Sequence, residues 1–222
     1  MMPITFNQPN GLHIVSQATL AQLFEDEALR TFAGGLLQTA LAHTINFEPL
    51  TFNASLTLAE ALHHSGPQIY PLLTALLVLD AEIHTLVDEE RRILSLPGFL
   101  SYRANLPLGK VSLETLHLPP LNPGGRYAFT VSDNGAFLAV RLDLNPARNV
   151  AGHVRIAISS VTCPPIRLVA TEQRLERRVI DEPLIEAAMA ASRADLPTPL
   201  TRRELALLVD ASAFLLHFFR KI

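Results

Sequence analysis

The residues that could carry chemistry in this chain are mainly histidines and one cysteine. His63 and His64 are adjacent, and neighbouring side chains on one element point in different directions, so the pair is a poor bidentate metal site. We expect a solvated or packing role for it, because the remaining histidines are scattered along the sequence. Cys163 is the only cysteine, which excludes an internal disulfide and any thiolate-built iron–sulfur or zinc centre. Its position at the end of a predicted strand favours a buried thiol over a nucleophile.

A glycine pair offers one further candidate site. Gly34-Gly35 could let backbone N–H groups approach a phosphate, although the pair lies inside a helical pattern, where it would instead only weaken the helix. The chain contains no Gly-x-Ser-x-Gly elbow, no Walker loop and no dinucleotide Gly-x-Gly-x-x-Gly motif. Taken alone, these residues specify no reaction.

Composition limits the classes of partner. Hydrophobic residues make up 49% of the chain and charged residues 18%, which is typical of packed cores. The net charge of -3 gives no indication of a nucleic-acid partner. The beginning of the chain does not resemble a signal peptide, and the longest apolar stretch, 70–79, is too short to span a bilayer. We therefore predict a soluble, cytoplasmic protein with no membrane partner.

The elements that must position any site follow from hydrophobic periodicity and turn signals. Thr19 has the position of an N-cap. In the first half we predict strands at 11–16, 81–87, 91–94 and 110–118, helices at 20–25, 28–43, 56–62 and 68–79, and a helical turn at 97–102.

The densest run of helix and strand breakers, 119–125, predicts a boundary between a domain at 1–122 and a domain at 123–222. Three strands follow it, at 126–132, 136–144 and 153–161, and helices follow them at 169–175, 182–192 and 201–220. This order predicts an antiparallel sheet that is covered on one face by helices.

Several stretches together suggest a family. The chain reads GLHIVSQATLAQL at 11–23, YPLLTALLVLDAE at 70–82 and RIAISSV at 155–161. In this order they resemble the patterns G-L-x-I-G-A-x-x-T-L-x-x-L, L-P-x-x-L-L-A-L-D-A-E and R-I-A-L-G-G-V of the flavin-carrying subunits of molybdenum hydroxylases, the xanthine and carbon monoxide dehydrogenase group.

The resemblance implies an α+β fold in two parts. A middle FAD-binding (PCMH-type) subdomain would be followed by a domain like the C-terminal domain of the CO dehydrogenase flavoprotein, with a three-stranded antiparallel sheet and helices. The family's N-terminal subdomain, with its glycine-rich loop for the FAD pyrophosphate, finds no match in this sequence, so we expect half of the cradle to be missing. Molybdopterin and iron–sulfur subunits are the implied partners, and a homo-oligomer is an alternative.

The cofactor-contacting positions follow from the same resemblance. The family's R-N-x-G-T-x-G-G-N-L falls on 47–56, where Thr51 and Leu56 match but both glycines of the G-G pair are replaced, by Asn53 and Ala54. Substituting the close-approach glycines, with Glu48 nearby, should weaken binding of an anionic cofactor. An acidic position of the family is Gln68 here, its Y-x-K lysine is Phe129, and an apolar position beside the flavin is Leu113. The resulting predicted FAD-binding residues are Thr51, Asn53, Ala54, Ser55, Leu56, Gln68 and Leu113.

These observations predict a flavoprotein-subunit-like component of a molybdenum hydroxylase. FAD binding would be degenerate or lost, and the role structural or in assembly. One alternative is a functional FAD electron-transfer subunit that a partner chain completes, in other words part of an FAD-dependent oxidoreductase. Another is a module that binds a different small ligand in the same cleft.

Overall fold

Two antiparallel sheets organise the computed structural model, which describes residues 4–8, 10–47, 54–87, 90–103, 111–145, 150–196 and 201–221. The first sheet contains β1 (Thr5–Gln8), β2 (Gly11–Val15), β3 (Glu82–Val87), β4 (Glu90–Ser95) and β5 (Val111–Leu118). Its helices are α1 (Leu20–Glu25), α2 (Glu27–Thr31), α3 (Leu36–Ile45), α4 (Leu58–His63), α5 (Tyr70–Val78) and α6 (Leu96–Arg103). Mixed helices and antiparallel strands confirm the predicted α+β class.

The second sheet has one strand more than predicted. It contains β6 (Gly125–Val131), β7 (Ala136–Asn145), β8 (Val150–Ser160) and β9 (Cys163–Arg167), in that spatial order. The helices α7 (Val169–Leu175), α8 (Glu182–Ala191) and α9 (Arg202–Phe219) follow it. The breaker run 119–125 connects the two sheets along the chain, and the division into two domains stays a prediction. Among the described residues no helix is both long and apolar enough to cross a membrane.

The first sheet has the order β1-β2-β5-β3-β4, and every neighbouring pair is antiparallel. One face supplies the hydrophobic core. Ile14, Leu116 and Ile83 lie opposite one another across β2, β5 and β3, and all three are buried. Since side chains alternate along a strand, the residues between them are directed to the other face.

The second sheet is covered on both faces, so the prediction of one covered face was wrong. Leu138, Val140 and Leu142 pack in a hydrophobic cluster with residues of α7, α8 and α9. Ala139 and Ala157, paired across β7 and β8, belong instead to the cluster that contains α5. These small side chains suit a close helix approach, and every residue of α5 from Pro71 to Val78 is buried as a result.

The helix predicted at 28–43 is broken in two, which corrects that prediction. Between α2 and α3 the chain forms a 3-10 turn in which Ala33, Gly34 and Gly35 have φ values of 51°, 63° and 81°. Glycine adopts this left-handed region without a Cβ penalty, so the pair ends one helix and begins the next. The glycines therefore have a conformational role here.

A charged network joins the two sheets at Asp80, the residue that follows Leu79 at the end of α5. Its carboxylate accepts hydrogen bonds from His153 Nε2 and Arg155 Nε, both at 2.9 Å, and from Arg167 Nη1 at 3.2 Å. Arg167 also pairs with the buried Glu172. Burial opposes ionisation of Asp80, but the hydrogen bonds from His153 and Arg155 and the arginine charges outweigh it, so the pKa of Asp80 is lowered.

Candidate functional site

The loop predicted to hold FAD lies beside the N-terminus of α1. Thr51 and Asn53 fall outside the described residues, whereas Ala54, Ser55 and Leu56 can be placed. The carbonyl oxygen of Ala54 accepts a hydrogen bond from Ala21 N, and that of Leu56 accepts one from Leu20 N, both at 2.9 Å. The loop therefore satisfies the first backbone N–H groups of α1, which would otherwise have no partner within the helix.

The other predicted positions come from separate segments. Leu113 on β5 is 3% exposed and belongs to the same hydrophobic cluster against which Leu56 packs. Gln68 is half-buried on the 3-10 turn Pro67–Ile69, directly before α5. The structure thus brings Leu56 and Leu113 into one cluster, while a common cofactor site for all seven residues stays a prediction.

The residues present do not fit an anionic dinucleotide well. Ala54 carries a Cβ where the family pattern has glycine, and the whole stretch 31–90 contains neither lysine nor arginine. A pyrophosphate needs backbone N–H groups at close approach or permanently charged side chains, and this stretch supplies no lysine or arginine. Glu48 and Glu60 are the acidic residues nearest the loop in sequence, and they add repulsion.

A different constellation lies on the face of the first sheet away from its core. His117 on the central strand β5 is directly opposite His13 on β2 and Glu82 on β3. His84 follows Glu82 by two residues, so it shares that face. Glu82, His84 and His117 each contribute one potential ligand atom, and these three atoms lie within 4.8 Å of one another.

The environment of His117 is specific. It is 7% exposed, its Nδ1 lies 2.9 Å from Glu82 Oε2, and its Nε2 lies 2.8 Å from the carbonyl oxygen of Asn10. A carbonyl oxygen can only accept, so Nε2 carries a hydrogen and donates it. Gly11 allows this arrangement, because a Cβ there would collide with the Leu118 carbonyl and lie 2.8 Å from His117 Nε2.

His13 packs between two rings. Its ring centroid is 5.1 Å from that of Phe6 and 4.5 Å from that of His117, stacked in both cases, and 5.7 Å from that of His84, edge-on. Burial lowers the pKa of His13, and the nearby His117 and His84 lower it further. His13 is therefore neutral near pH 7, which limits the positive charge in the cluster.

This cluster corrects the description of the histidines as scattered. Their sequence positions are far apart, and only the pairing of three strands brings them together. The one local signal was Glu82-Ile83-His84, an alternation that places two ligand-type side chains on the same face of a strand. The pair His63-His64 is at the end of α4, and the His63 ring packs edge-on at 5.8 Å from Phe99.

Solved structures of carbon monoxide dehydrogenase and of quinoline 2-oxidoreductase share this fold. A chain of carbon monoxide dehydrogenase from Hydrogenophaga pseudoflava superposes with a TM-score of 0.77 at 16% identity, over 97% of this chain and 76% of that chain. Reconstituted CO dehydrogenase from Oligotropha carboxidovorans gives 0.76 at 15% identity, with the same coverage. Quinoline 2-oxidoreductase from Pseudomonas putida 86 gives 0.72 at 17%, over 98% and 76%.

The chain has the fold of a CO dehydrogenase chain. No protein-family model and no curated protein matches its sequence. At 15–17% identity the likeness to the CO dehydrogenase and quinoline 2-oxidoreductase chains establishes the backbone arrangement alone. Function must therefore be argued from the side chains of this chain.

Proposed function

We propose that this chain is a flavoprotein-subunit-like component of a molybdenum-hydroxylase-type complex, in which it has a structural or assembly role and binds FAD weakly or not at all. One observation carries the proposal. The fold of the CO dehydrogenase chain extends over 97% of this sequence, but the loop matching the flavin motif lacks its glycines.

The hydrogen bonds of the loop give it a role in the fold that does not depend on a cofactor. The carbonyl groups of Ala54 and Leu56 are committed to α1, and Ser55 between them is exposed. The loop thus contributes to packing without FAD, because it satisfies a helix N-terminus and anchors Leu56 against the core. With no lysine or arginine in 31–90, neutralising a pyrophosphate would require charges from elsewhere.

The experiment is purification of the tagged chain from its native cells, followed by absorbance and metal analysis. We expect the isolated chain to show no flavin absorbance at about 450 nm, because the cofactor would not be retained. We expect molybdenum and iron to co-purify with the tagged complex. Stoichiometric FAD in the isolated chain would contradict the loss of binding, and a chain that never associates with a molybdenum protein would contradict the assembly role.

The double variant Asn53→Gly/Ala54→Gly tests the cause of weak binding. We expect it to remain without tight FAD binding in a fluorescence titration, because restored glycines add no positive charge. Micromolar or tighter binding by this variant would show that the two substitutions alone account for the loss. The wild-type chain titrated in parallel is the matched control.

A further inference from the structure

We propose that Glu82, His84 and His117 form a binding site for a divalent transition-metal ion of the zinc type. The site lies on the outer face of the first sheet and is independent of the flavin loop. The function proposed above assigns no metal ion to the side chains of this chain itself, so the two proposals can fail separately.

The strand register brings the ligands together without loop rearrangement. Glu82 is the cross-strand partner of His117, and directly opposite side chains have Cβ atoms about 4.5–5.5 Å apart. His84 lies diagonally across from His117, since its own partner is Thr115. A site on three positions of two paired strands is held by the backbone ladder, which is a rigid support for metal ligands.

The distances fit coordination by a single ion. His117 Nδ1 and Glu82 Oε2 are 2.9 Å apart. If an ion lay about 2.0–2.1 Å from both atoms, the angle between the two ligand atoms at the ion would be about 90°. This angle would open toward the tetrahedral value if the two atoms moved apart by about 0.4 Å. The ligand atom of His84 lies within 4.8 Å of the other two, and side-chain movement toward a common ion would complete the set.

The hydrogen bonding of His117 supports a ligand role for Nδ1. The Asn10 carbonyl oxygen accepts a hydrogen bond from Nε2, so Nδ1, which faces the Glu82 carboxylate, is the ring nitrogen available as a ligand. A cation between the two atoms, either a proton or a metal ion, stabilises this 2.9 Å contact, so a metal ion can take the place of a proton here. A metal-bound histidine characteristically donates its second ring N–H to a carbonyl or carboxylate, and Asn10 supplies that partner here.

The ring packing restricts His117 to this orientation. His13 stacks on it at 4.5 Å, and Phe6 stacks on the other side of His13 at 5.1 Å. A ligand ring held by stacking loses less rotational freedom when the ion binds. The donor set of two imidazoles and one carboxylate suits Zn²⁺, Co²⁺ and Ni²⁺ better than Ca²⁺ or Mg²⁺, which prefer oxygen ligands.

The test uses the full chain after chelator treatment and dialysis, with ZnCl2 added in a calorimetric titration. We expect one ion per chain, with micromolar or tighter affinity and a rise in the thermal midpoint. His84→Ala should weaken Zn²⁺ binding at least about tenfold and reduce the midpoint rise at the same ZnCl2 concentration. His84 and Glu82 are only half-buried, so neither His84→Ala nor Glu82→Gln should unfold the protein, which far-UV circular dichroism will check.

His64→Ala is the matched control, because His63-His64 is the alternative place where a histidine-binding ion could sit. It should bind Zn²⁺ as the wild type does. Co²⁺ provides a second readout, because the visible absorption of the bound ion reports nitrogen ligands. This absorption should be lost in His84→Ala and retained in His64→Ala. Three results would each contradict the proposed site. They are sub-stoichiometric binding, equal affinity in His84→Ala and wild type, and loss of binding in His64→Ala. In those cases Glu82 and His117 form only an ion pair.

Discussion

Replacing Asp80 by asparagine should destabilise the protein through the network that joins its two sheets. Asparagine keeps the volume and tolerates the left-handed backbone of this position, where φ is 51°, so the change removes charge without adding strain. Arg155 loses its carboxylate partner, and Arg167 retains only Glu172. The variant thus isolates the electrostatic part of the junction.

The size of the effect follows from burial. Removing one partner of a fully buried pair costs about 3–5 kcal/mol, whereas exposed pairs contribute about 0–1 kcal/mol. The Asp80 side chain is 26% exposed and those of Arg155 and Arg167 are 24% exposed. An intermediate loss of about 2 kcal/mol is therefore expected, equivalent to a fall of about 4–8 °C in the melting midpoint for a chain of this length.

Urea unfolding at pH 7 measures the loss, and its pH dependence tests the cause. The pKa of Asp80 is lowered in the folded state, so its stabilisation is complete above the unfolded pKa of about 3.9 and is lost as the pH falls through the lower folded value. The difference between wild type and Asp80→Asn should therefore shrink below about pH 4. Glu90→Gln, which alters the exposed pair with Arg92, is the control and should change stability by less than about 0.5 kcal/mol. An Asp80→Asn protein as stable as wild type at pH 7, or a gap that persists unchanged in acid, would refute the reasoning.

Two further predictions concern buried groups. Thr74→Val removes the hydroxyl that lies 2.6 Å from that of Ser159, and both residues are fully buried, so urea unfolding should show a loss of about 1–3 kcal/mol. Adding Ser159→Ala should recover part of the lost stability. A double variant that loses more stability than the two single variants lose together would contradict this account. Cys163 is buried and burial raises its pKa, so the native thiol should react with a thiol reagent at least about tenfold more slowly than the urea-unfolded one. Rapid stoichiometric labelling of the native protein would show that the thiol is accessible.

Local signals in the sequence predicted much of the element order. Thr19 was predicted as an N-cap, and its side chain does accept a hydrogen bond from Gln22 N in a capping box. The same motif begins α4 at Thr57 and α9 at Thr201. The apolar run before Asp80 became α5, whose burial on all sides follows from its having no polar face.

The errors arose where tertiary context decides. β9, which was not predicted, contains Pro164 and Pro165. Proline is disfavoured within sheets, but β9 is an edge strand, where a missing N–H group is tolerated. The covered second face of the β6–β9 sheet depends on α5, a helix from the other half of the chain. The histidine cluster depends on the order β2-β5-β3, which no local pattern reveals. Long-range pairing was the common missing information.

The two faces of the first sheet explain how a shared backbone can accompany different chemistry. Its inner face needs only apolar side chains at alternate positions, such as Leu12, Ile14 and Leu116, and many sequences satisfy that requirement. A TM-score of 0.77 at 16% identity is the expected result of preserving such a pattern. Side chains on the outer face do not hold the core, so Glu82, His84 and their neighbours are free to serve other purposes. The outer face is therefore where this chain can carry chemistry that the shared fold does not dictate, and the proposed metal site is located there.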